Sequence, residues 1–173
     1  MVPLYITEGL YMQTMFSRML SKHGIQMIHI STDRRFRCSV CYTGFDPVDA
    51  RVDCLECFGS SYRANVEWIT GMIVKPARSF SDSDRLDGYE NLRKFRLYFS
   101  PEASFIQGDN ILEINPSNQK DLKHLSPPIA ILHSYTIDTV EAMYYDAKLV
   151  CYQATCTVED QNLTIFTKLL AQL

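Results

Sequence analysis

The stretch Cys38-Ser-Val-Cys41, followed after twelve residues by Cys54-Leu-Glu-Cys57, decides how the rest of the chain is interpreted. Each C-x-x-C pair turns sharply enough for both sulfurs to reach one ion, so two pairs can place four thiolates about 2.3 Å from one Zn²⁺. A site with four cysteine ligands leaves no open coordination position, which favours a structural role over metal catalysis. The spacing therefore predicts a closed structural Zn²⁺ site with the ligands Cys38, Cys41, Cys54 and Cys57.

The segment around these cysteines, residues 34–63, has few large aliphatic residues and cannot form a hydrophobic core of its own. Gly44 and Gly59 stand just after each pair, where a tight turn needs a permissive backbone. Metal binding, worth roughly 10–16 kcal/mol in small zinc peptides, would replace the missing core. Two disulfides or four unligated thiols are the alternatives. Disulfides fit less well because the N-terminus lacks the pattern of a secretory signal.

Composition sets the limits for the rest of the chain. Its 173 residues are 46% hydrophobic and 21% charged, which suits one domain with an insertion or two small domains. The net charge of −3 argues against a protein whose main task is non-specific binding to phosphate. The longest apolar runs are far shorter than the ~20 residues that span a bilayer, so we expect no membrane partner. We also expect the protein to be made and assembled in a reducing cytoplasm.

An N-terminal helix is predicted over residues 7–23. Thr7 is a suitable N-cap, and Gly24 suits the position just after the last turn. Apolar residues recur at helical spacing, and we interpret the methionines among them as an ordinary packing face rather than a partner-binding face. His23 and His29 have no ligand partners at matching spacing and are interpreted as surface or cap residues.

Alternating or β-branched segments predict five or six strands in the remaining chain. They cover residues 25–30, 66–74, 93–99, 110–114 and 129–137, with a hairpin that begins at Tyr144-Tyr145, turns at 146–147 and continues to 158. A second helix is predicted over 163–173, and the polar stretch 79–91 is predicted to be an exposed loop. Cys151 and Cys156 lie five residues apart in a predicted strand, so we expect two buried free thiols on opposite faces.

Together these elements predict a mainly β protein, a small antiparallel β-barrel or sandwich. It has an N-terminal helix, a C-terminal helix and an inserted zinc-ribbon-like module. The predicted division is residues 1–33 for the first helix and strand, 34–63 for the zinc module and 64–173 for the β-barrel domain with its C-terminal helix. The sequence contains no nucleophile, phosphate-binding or metalloprotease motif, so we expect a structural protein and not an enzyme, with no catalytic residues and no bound organic cofactor.

The order of these parts resembles a known group of virion proteins. The matching segments are the four cysteines with Gly59, Tyr98-Phe99-Ser-Pro101, Gln107-Gly108-Asp109-Asn110-Ile111, Ser134-Tyr135-Thr-Ile137 and the hairpin to Cys151-Tyr152-Gln-Ala154. In this order they resemble the neck proteins of tailed bacteriophages, of the head-closure (stopper) or head–tail adaptor type. One departure is that Ser60-Ser-Tyr follows Gly59, where such phage proteins often continue with a glycine-rich stretch.

The resemblance implies a β-barrel subunit in a homo-oligomeric ring of six or twelve copies. That ring would close the DNA-filled head and dock the tail, with a portal or adaptor protein on one side and tail terminator or other tail proteins on the other. Packaged DNA would pass through the lumen without specific binding, and the location would be the virion, assembled in the host cytoplasm. Another position in the virion, such as the tail terminator or the baseplate, is a further alternative.

The competing hypothesis is a zinc-ribbon module that binds nucleic acid. Basic residues interleaved with aromatic ones, which suit backbone contact and base stacking, flank the cysteines. They are Arg34, Arg35, Phe36, Arg37, Arg51, Tyr62 and Arg63. Four acidic residues in the same segment offset much of this charge.

Overall fold

The computed structural model describes residues 8–42, 54, 56–74, 94–115, 131–159 and 166. Strands account for most of these residues, so the predicted mainly β class is confirmed, and the strand pairs are antiparallel. The elements are α1 (Glu8–His23), β1 (Ile25–Arg37), β2 (Tyr62–Val74), β3 (Lys94–Phe99), β4 (Asn110–Ile114), β5 (Ile131–Tyr145) and β6 (Lys148–Val158). Within the described residues, no helix is long and apolar enough to cross a membrane.

β1 and β5 extend further at their C-terminal ends than the sequence predicts, and β2 begins earlier, at Tyr62 instead of residue 66. β1 continues to Arg37 instead of ending at residue 30, and β5 continues to Tyr145 instead of ending at residue 137. The added C-terminal ends are largely exposed to solvent, including all four residues 34–37. Because neither face of these ends is buried, they lack the alternating apolar pattern by which a half-buried strand is predicted.

Several predicted features lie outside the described residues. They are the Thr7 cap, the turn at Gly44, the loop at 79–91 and most of the C-terminal helix at 163–173. Phe166 is the one residue of that helix that the structure describes.

The chain divides into two compact units. Unit 1 combines Met1–Ile25, Thr70–Gln107 and Ile137–Val158, and unit 2 combines Gln26–Ile69, Gly108–Thr136 and Glu159–Leu173. The predicted division at residues 33 and 63 stays a prediction, because it concerns sequence segments rather than these packed units.

In unit 1 the strands lie side by side in the order β2–β3–β6–β5. β3 pairs with β2 through Met72↔Tyr98 and with β6 through Leu97↔Ala154. Helix α1 packs on this sheet, and the buried residues of the contact are Phe16, Leu20, Val150 and Cys151. The short turn from α1 into β1 is closed by a hydrogen bond of 2.7 Å from the Gly24 N–H to the Leu20 carbonyl.

The interpretation of the helix methionines as a packing face is wrong. Met12, Met15 and Met19 are 39–45% exposed, whereas Phe16 and Leu20 are buried. The buried positions form a narrow stripe because α1 contacts the sheet along one line, and the flanking apolar residues extend beyond that contact. Sequence periodicity identifies the apolar side of a helix but does not say how much of it is covered.

In unit 2 the strand order is β2–β1–β4–β5. β1 pairs with β4 through His29↔Ile111, and β4 pairs with β5 through Ile111↔Tyr135. One face of this sheet carries a core that includes Phe166, with Phe58 of the cysteine module packed against it. The buried members of that core are Ile28, Ile30, Leu112, Ile114 and Phe166. Within this unit, β1 leads into the cysteine module and β2 leads out of it.

The predicted hairpin is confirmed. β5 and β6 are joined by Asp146 and Ala147, whose φ angles are 49° and 59°. Positive φ at both central residues is the property of a type I′ turn, whose twist matches that of the flanking strands. Asparagine and glycine are the residues usually found there, so Ala147 adopts this conformation at a cost.

Candidate metal centre

The two C-x-x-C segments form the same local structure. The Tyr42 N–H donates to the Cys38 carbonyl at 2.9 Å, and the Phe58 N–H donates to the Cys54 carbonyl at 3.0 Å. Each bond spans from the first cysteine of a pair to the residue just after the second, so each pair lies on one tight turn. A turn of this kind directs both of its thiols to the same side, as the sequence spacing predicts.

The four thiols converge on one point. The Sγ atoms of Cys38, Cys41, Cys54 and Cys57 all lie within 4.8 Å of one another. The closest pairs are Cys38 with Cys54 at 3.6 Å and Cys41 with Cys57 at 3.5 Å. These distances are far longer than the ~2.05 Å of a disulfide bond. They are close to the roughly 3.8 Å that separates sulfurs in a tetrahedron with Zn–S bonds of about 2.3 Å.

Burial makes the cluster suitable for a metal ion. All four cysteines are at most 5% exposed, and the cluster packs together as a small core of its own. With four thiols alone, burial and then the hydrogen bonds with Cys41 and Cys54 raise the pKa of Cys57 to about 12. A divalent cation reverses this balance because its charge favours the thiolate form. The donor set and its geometry therefore fit a metal ion held by four cysteines.

The turn after the second pair is tightly organised. Phe58, Gly59 and Ser61 have positive φ angles of 49°, 79° and 65°. The Ser60 side chain donates to the Cys57 carbonyl at 2.6 Å, and the Ser61 carbonyl accepts from the Cys38 N–H at 3.0 Å. This last bond joins the end of β1 to the start of β2, so the backbone closes the module at its base. The predicted need for a permissive backbone at Gly59 is confirmed.

Basic and aromatic side chains surround the module. The guanidinium of Arg37 lies 5.7 Å from the ring centre of Tyr42 and 5.4 Å from that of Tyr62. Phe36 is 54% exposed at the same strand end. A groove nearby is lined by Phe36, Arg37, Ser39, Glu56, Phe58 and Arg63, among others. Arg51, which the sequence groups with these residues, lies outside the described part of the chain.

Arg35 contributes less positive charge than its sequence position suggests. Its Nε and Nη2 atoms donate to the two carboxylate oxygens of Asp33 at 2.9 and 2.8 Å. These hydrogen bonds lower the pKa of Asp33 to about 2, so the pair stays ionised over the usual pH range. The charge of Arg35 is thus largely balanced within its own strand.

The two other cysteines are buried free thiols, as predicted. Burial raises the pKa of Cys151, and burial followed by the charge of Asp138 raises the pKa of Cys156 to about 12. Both thiols therefore stay protonated and unreactive at neutral pH.

The placement of His29 on the surface is wrong. Its side chain is 1% exposed and lies between the carboxylates of Glu67 and Asp109. The sequence carried no signal for this group because the partners are 38 and 80 residues away along the chain.

Unit 1 carries a second candidate site, an apolar groove beside α1. We call it the α1 groove and define it by Tyr11, Met12, Met15, Met19, Met143 and Tyr144. It has a volume of about 800 Å³ and also includes the basic side chains of Arg18 and Lys22. Its size lies within the range of ligand and peptide sites, and its lining is mostly apolar.

The sequence matches no protein-family model and no curated protein.

Proposed function

We propose that this chain is a structural protein of the virion of a tailed phage, a subunit of the neck ring between head and tail. The observation that carries the proposal is the α1 groove, together with the resemblance in the order of sequence segments. A protein that works alone rarely leaves so many large apolar side chains exposed on one surface.

The groove suits a neighbouring copy of the same chain. Tyr11 and Tyr144 are 57% and 66% exposed, and a subunit contact would remove their rings from water. Arg18 and Lys22 at the same groove fit carboxylates, and the chain has an excess of acidic over basic residues, 20 against 17. In a ring, each subunit offers two different surfaces, and rotation closes the set of contacts. The α1 groove is proposed as one of these surfaces.

Zinc is the metal that we propose for the cysteine cluster. Four thiolates at tetrahedral spacing are the donor set that zinc takes in closed structural sites, and the reducing interior of a host cell would keep the thiols free. When bound, the ion would supply the stability that a core supplies elsewhere. The turns direct the four thiols toward one point, and the hydrogen bond from the Cys38 N–H to the Ser61 carbonyl joins the two ends of the module.

The finer architecture is part of the same proposal. We propose that the six strands close into a small barrel, that residues 163–173 form a C-terminal helix, and that six or twelve subunits make the ring. A portal or adaptor protein would lie on one side and tail proteins on the other, with DNA passing through the lumen. Unit 2 would present the rigid cysteine module as a contact.

The proposal is tested by the mass of the full-length protein in solution, measured by light scattering over a range of concentrations. We expect a ring for the unaltered chain, on its own or with a portal complex, and smaller species for Met15→Glu. Leu132→Glu is the matched control, because it places the same charge at an exposed apolar position outside the groove. A monomer at all concentrations with and without portal, or equal masses for both variants, would contradict the proposal.

Nucleic-acid binding is the second candidate, favoured by the exposed Phe36 and by Arg37 and Arg63 beside the groove of the cysteine module. Its test is the affinity for a single-stranded oligonucleotide as salt is varied. Salt-dependent binding that Arg37→Ala and Arg63→Ala abolish would favour this function over the neck ring. Unchanged ring formation in the same variants, without oligonucleotide binding, would favour the neck ring.

A further inference from the structure

A buried histidine in unit 2 is held by two carboxylates. The Nδ1 of His29 lies 2.7 Å from Glu67 Oε1, and its Nε2 lies 2.9 Å from Asp109 Oδ2. His29 lies in β1 and Glu67 lies in β2, while Asp109 immediately precedes the first residue of β4. The three side chains thus connect three strands that neighbour one another in the sheet.

An ionised carboxylate only accepts hydrogen bonds, so contacts with two ionised carboxylates need an N–H group at both ring nitrogens. Only the protonated imidazolium has both, since neutral imidazole carries a proton on one nitrogen and a lone pair on the other. Burial lowers the pKa of His29, but the hydrogen bonds to Asp109 and Glu67, together with the charges of both carboxylates, raise it more. The net result is a pKa above the ordinary value of 6.5.

Four other titratable or charged groups lie on the same face of the sheet as His29 or beside the turn before Asp109. Glu113, Tyr135 and His133 share a face of the β4–β5 pair with Ile111, the residue opposite His29. The Tyr135 hydroxyl donates to Glu113 at 2.6 Å, which holds that carboxylate in place. The guanidinium of Arg34 lies beside Gly108, the residue before Asp109. A Cβ atom added to Gly108 would lie 3.5 Å from Nη2 of Arg34.

The two carboxylates differ in their access to water. Asp109 is 2% exposed, so its charge depends on donors from the protein. Glu67 is 48% exposed and can turn toward solvent at little cost. When the ring loses one proton, the remaining proton is therefore expected on Nε2, facing Asp109, and the bond to Glu67 is the one that is lost.

We propose that the proton on His29 acts as a clamp between β1 and β2, and that its loss at rising pH releases Glu67 while Asp109 stays bound. β1 and β2 lead directly into and out of the cysteine module, since β1 ends at Arg37 and β2 begins at Tyr62. The clamp thus controls how firmly the two strands that carry the module are joined. It is a pH-sensitive device that does not depend on the proposed neck function.

The sign of the effect on stability follows from the raised pKa. The contribution of the clamp is fully present below about 6.5, the value for the unfolded chain. It is lost as pH rises through the higher pKa of the folded protein. Stability from this source therefore falls on the alkaline side.

The test is a pH titration of the ring nitrogens of His29 by ¹⁵N NMR, using the full-length metal-loaded protein. We expect both nitrogens to be protonated at low pH, a midpoint above 6.5, and a proton that remains on Nε2 after the transition. A midpoint at or below 6.5, or a neutral ring protonated on Nδ1, would overturn the proposal.

Glu67→Gln gives an independent check, because the exposed position tolerates substitution and the variant removes one negative charge. We expect the His29 midpoint to move to lower pH and the melting temperature to fall at pH 6, with the difference from the unaltered protein disappearing as pH rises. His23→Gln, which removes a histidine from α1, is the matched control and should leave both values unchanged. An unchanged His29 midpoint in Glu67→Gln would also overturn the proposal.

Discussion

At the scale of single residues, the cysteine cluster has a chemistry different from that of the other two thiols. All six cysteines are buried, yet only the four in the module have sulfur neighbours at 3.5–3.6 Å. Burial alone keeps a thiol protonated, as the raised pKa of Cys151 shows. A site that brings four thiols together is suited to a divalent cation, because the cation attracts all four thiolates at once and offsets part of their buried negative charge.

Replacing one ligand should remove the metal. Cys41→Ser is expected to lower the zinc content from one per chain to near zero and the free energy of unfolding by about 4 kcal/mol or more, since loss of a metal is among the largest single-residue effects. Metal analysis and thermal unfolding measure the two effects. Cys151→Ser is the control, because it also exchanges a buried thiol for a hydroxyl but should keep the zinc. A Cys41→Ser protein with a full complement of zinc would contradict this assignment.

Gly71 is a residue whose lack of a side chain is needed for packing in unit 1. A Cβ at this position would lie 2.6 Å from Cε1 of Phe99, its partner across β2 and β3. Phe99 is fully buried, and its ring centre lies 4.3 Å from that of the tilted Phe105 ring, so the Phe99 ring has little room to move.

Gly71→Ala is therefore expected to destabilise the protein by roughly 1–3 kcal/mol through overpacking. Chemical denaturation of the single and double variants tests the cause. In a Phe99→Leu background, which removes the contacting ring atoms, the same substitution should cost less. Equal costs in both backgrounds would show that steric conflict with Phe99 is not the reason.

At the scale of elements, the β5–β6 hairpin has a turn conformation that its own residues do not favour. Ala147 adopts a φ of 59°, a left-handed conformation that costs a non-glycine residue roughly 1–2 kcal/mol. The hairpin keeps this turn because β6 is fixed by pairing with β3 and by contact with α1. The packed strands thus determine the turn, and the turn sequence alone does not.

Ala147→Gly should raise the free energy of unfolding by about 1 kcal/mol, because glycine adopts positive φ without the steric cost. Urea unfolding measures the change. Ala154→Gly makes the same exchange at a buried strand position with ordinary backbone geometry, and it should destabilise the protein. If Ala147→Gly were neutral or destabilising, the described turn geometry would be wrong.

At the scale of the whole molecule, features were predictable from sequence when they depend on residues that are close together in the chain. The cysteine turns depend on residues close together in the chain, so their spacing identifies them. The helix and the central parts of the strands follow from local apolar periodicity. The exposed ends of β1 and β5 carry no such pattern, and their length is set by pairing partners elsewhere in the chain.

Interactions between distant residues were not predictable. His29 looks like any polar residue in a strand until the fold brings Glu67 and Asp109 to its two nitrogens. Likewise, the methionines of α1 have the same spacing whether they pack in a core or face outward. Only the narrow contact of α1 with the sheet reveals the groove, and that contact is a tertiary property.

The proposed neck function requires that a zinc-stabilised subunit assembles through its α1 groove into a ring. Native mass spectrometry of the full-length protein tests it most directly, because one spectrum counts both subunits and metal ions. We expect a ring of six or twelve chains with one zinc per chain, formed alone or on a portal complex, and the loss of this ring in Met15→Glu with the zinc retained. A monomer under every condition, or a ring that contains no zinc, would contradict it.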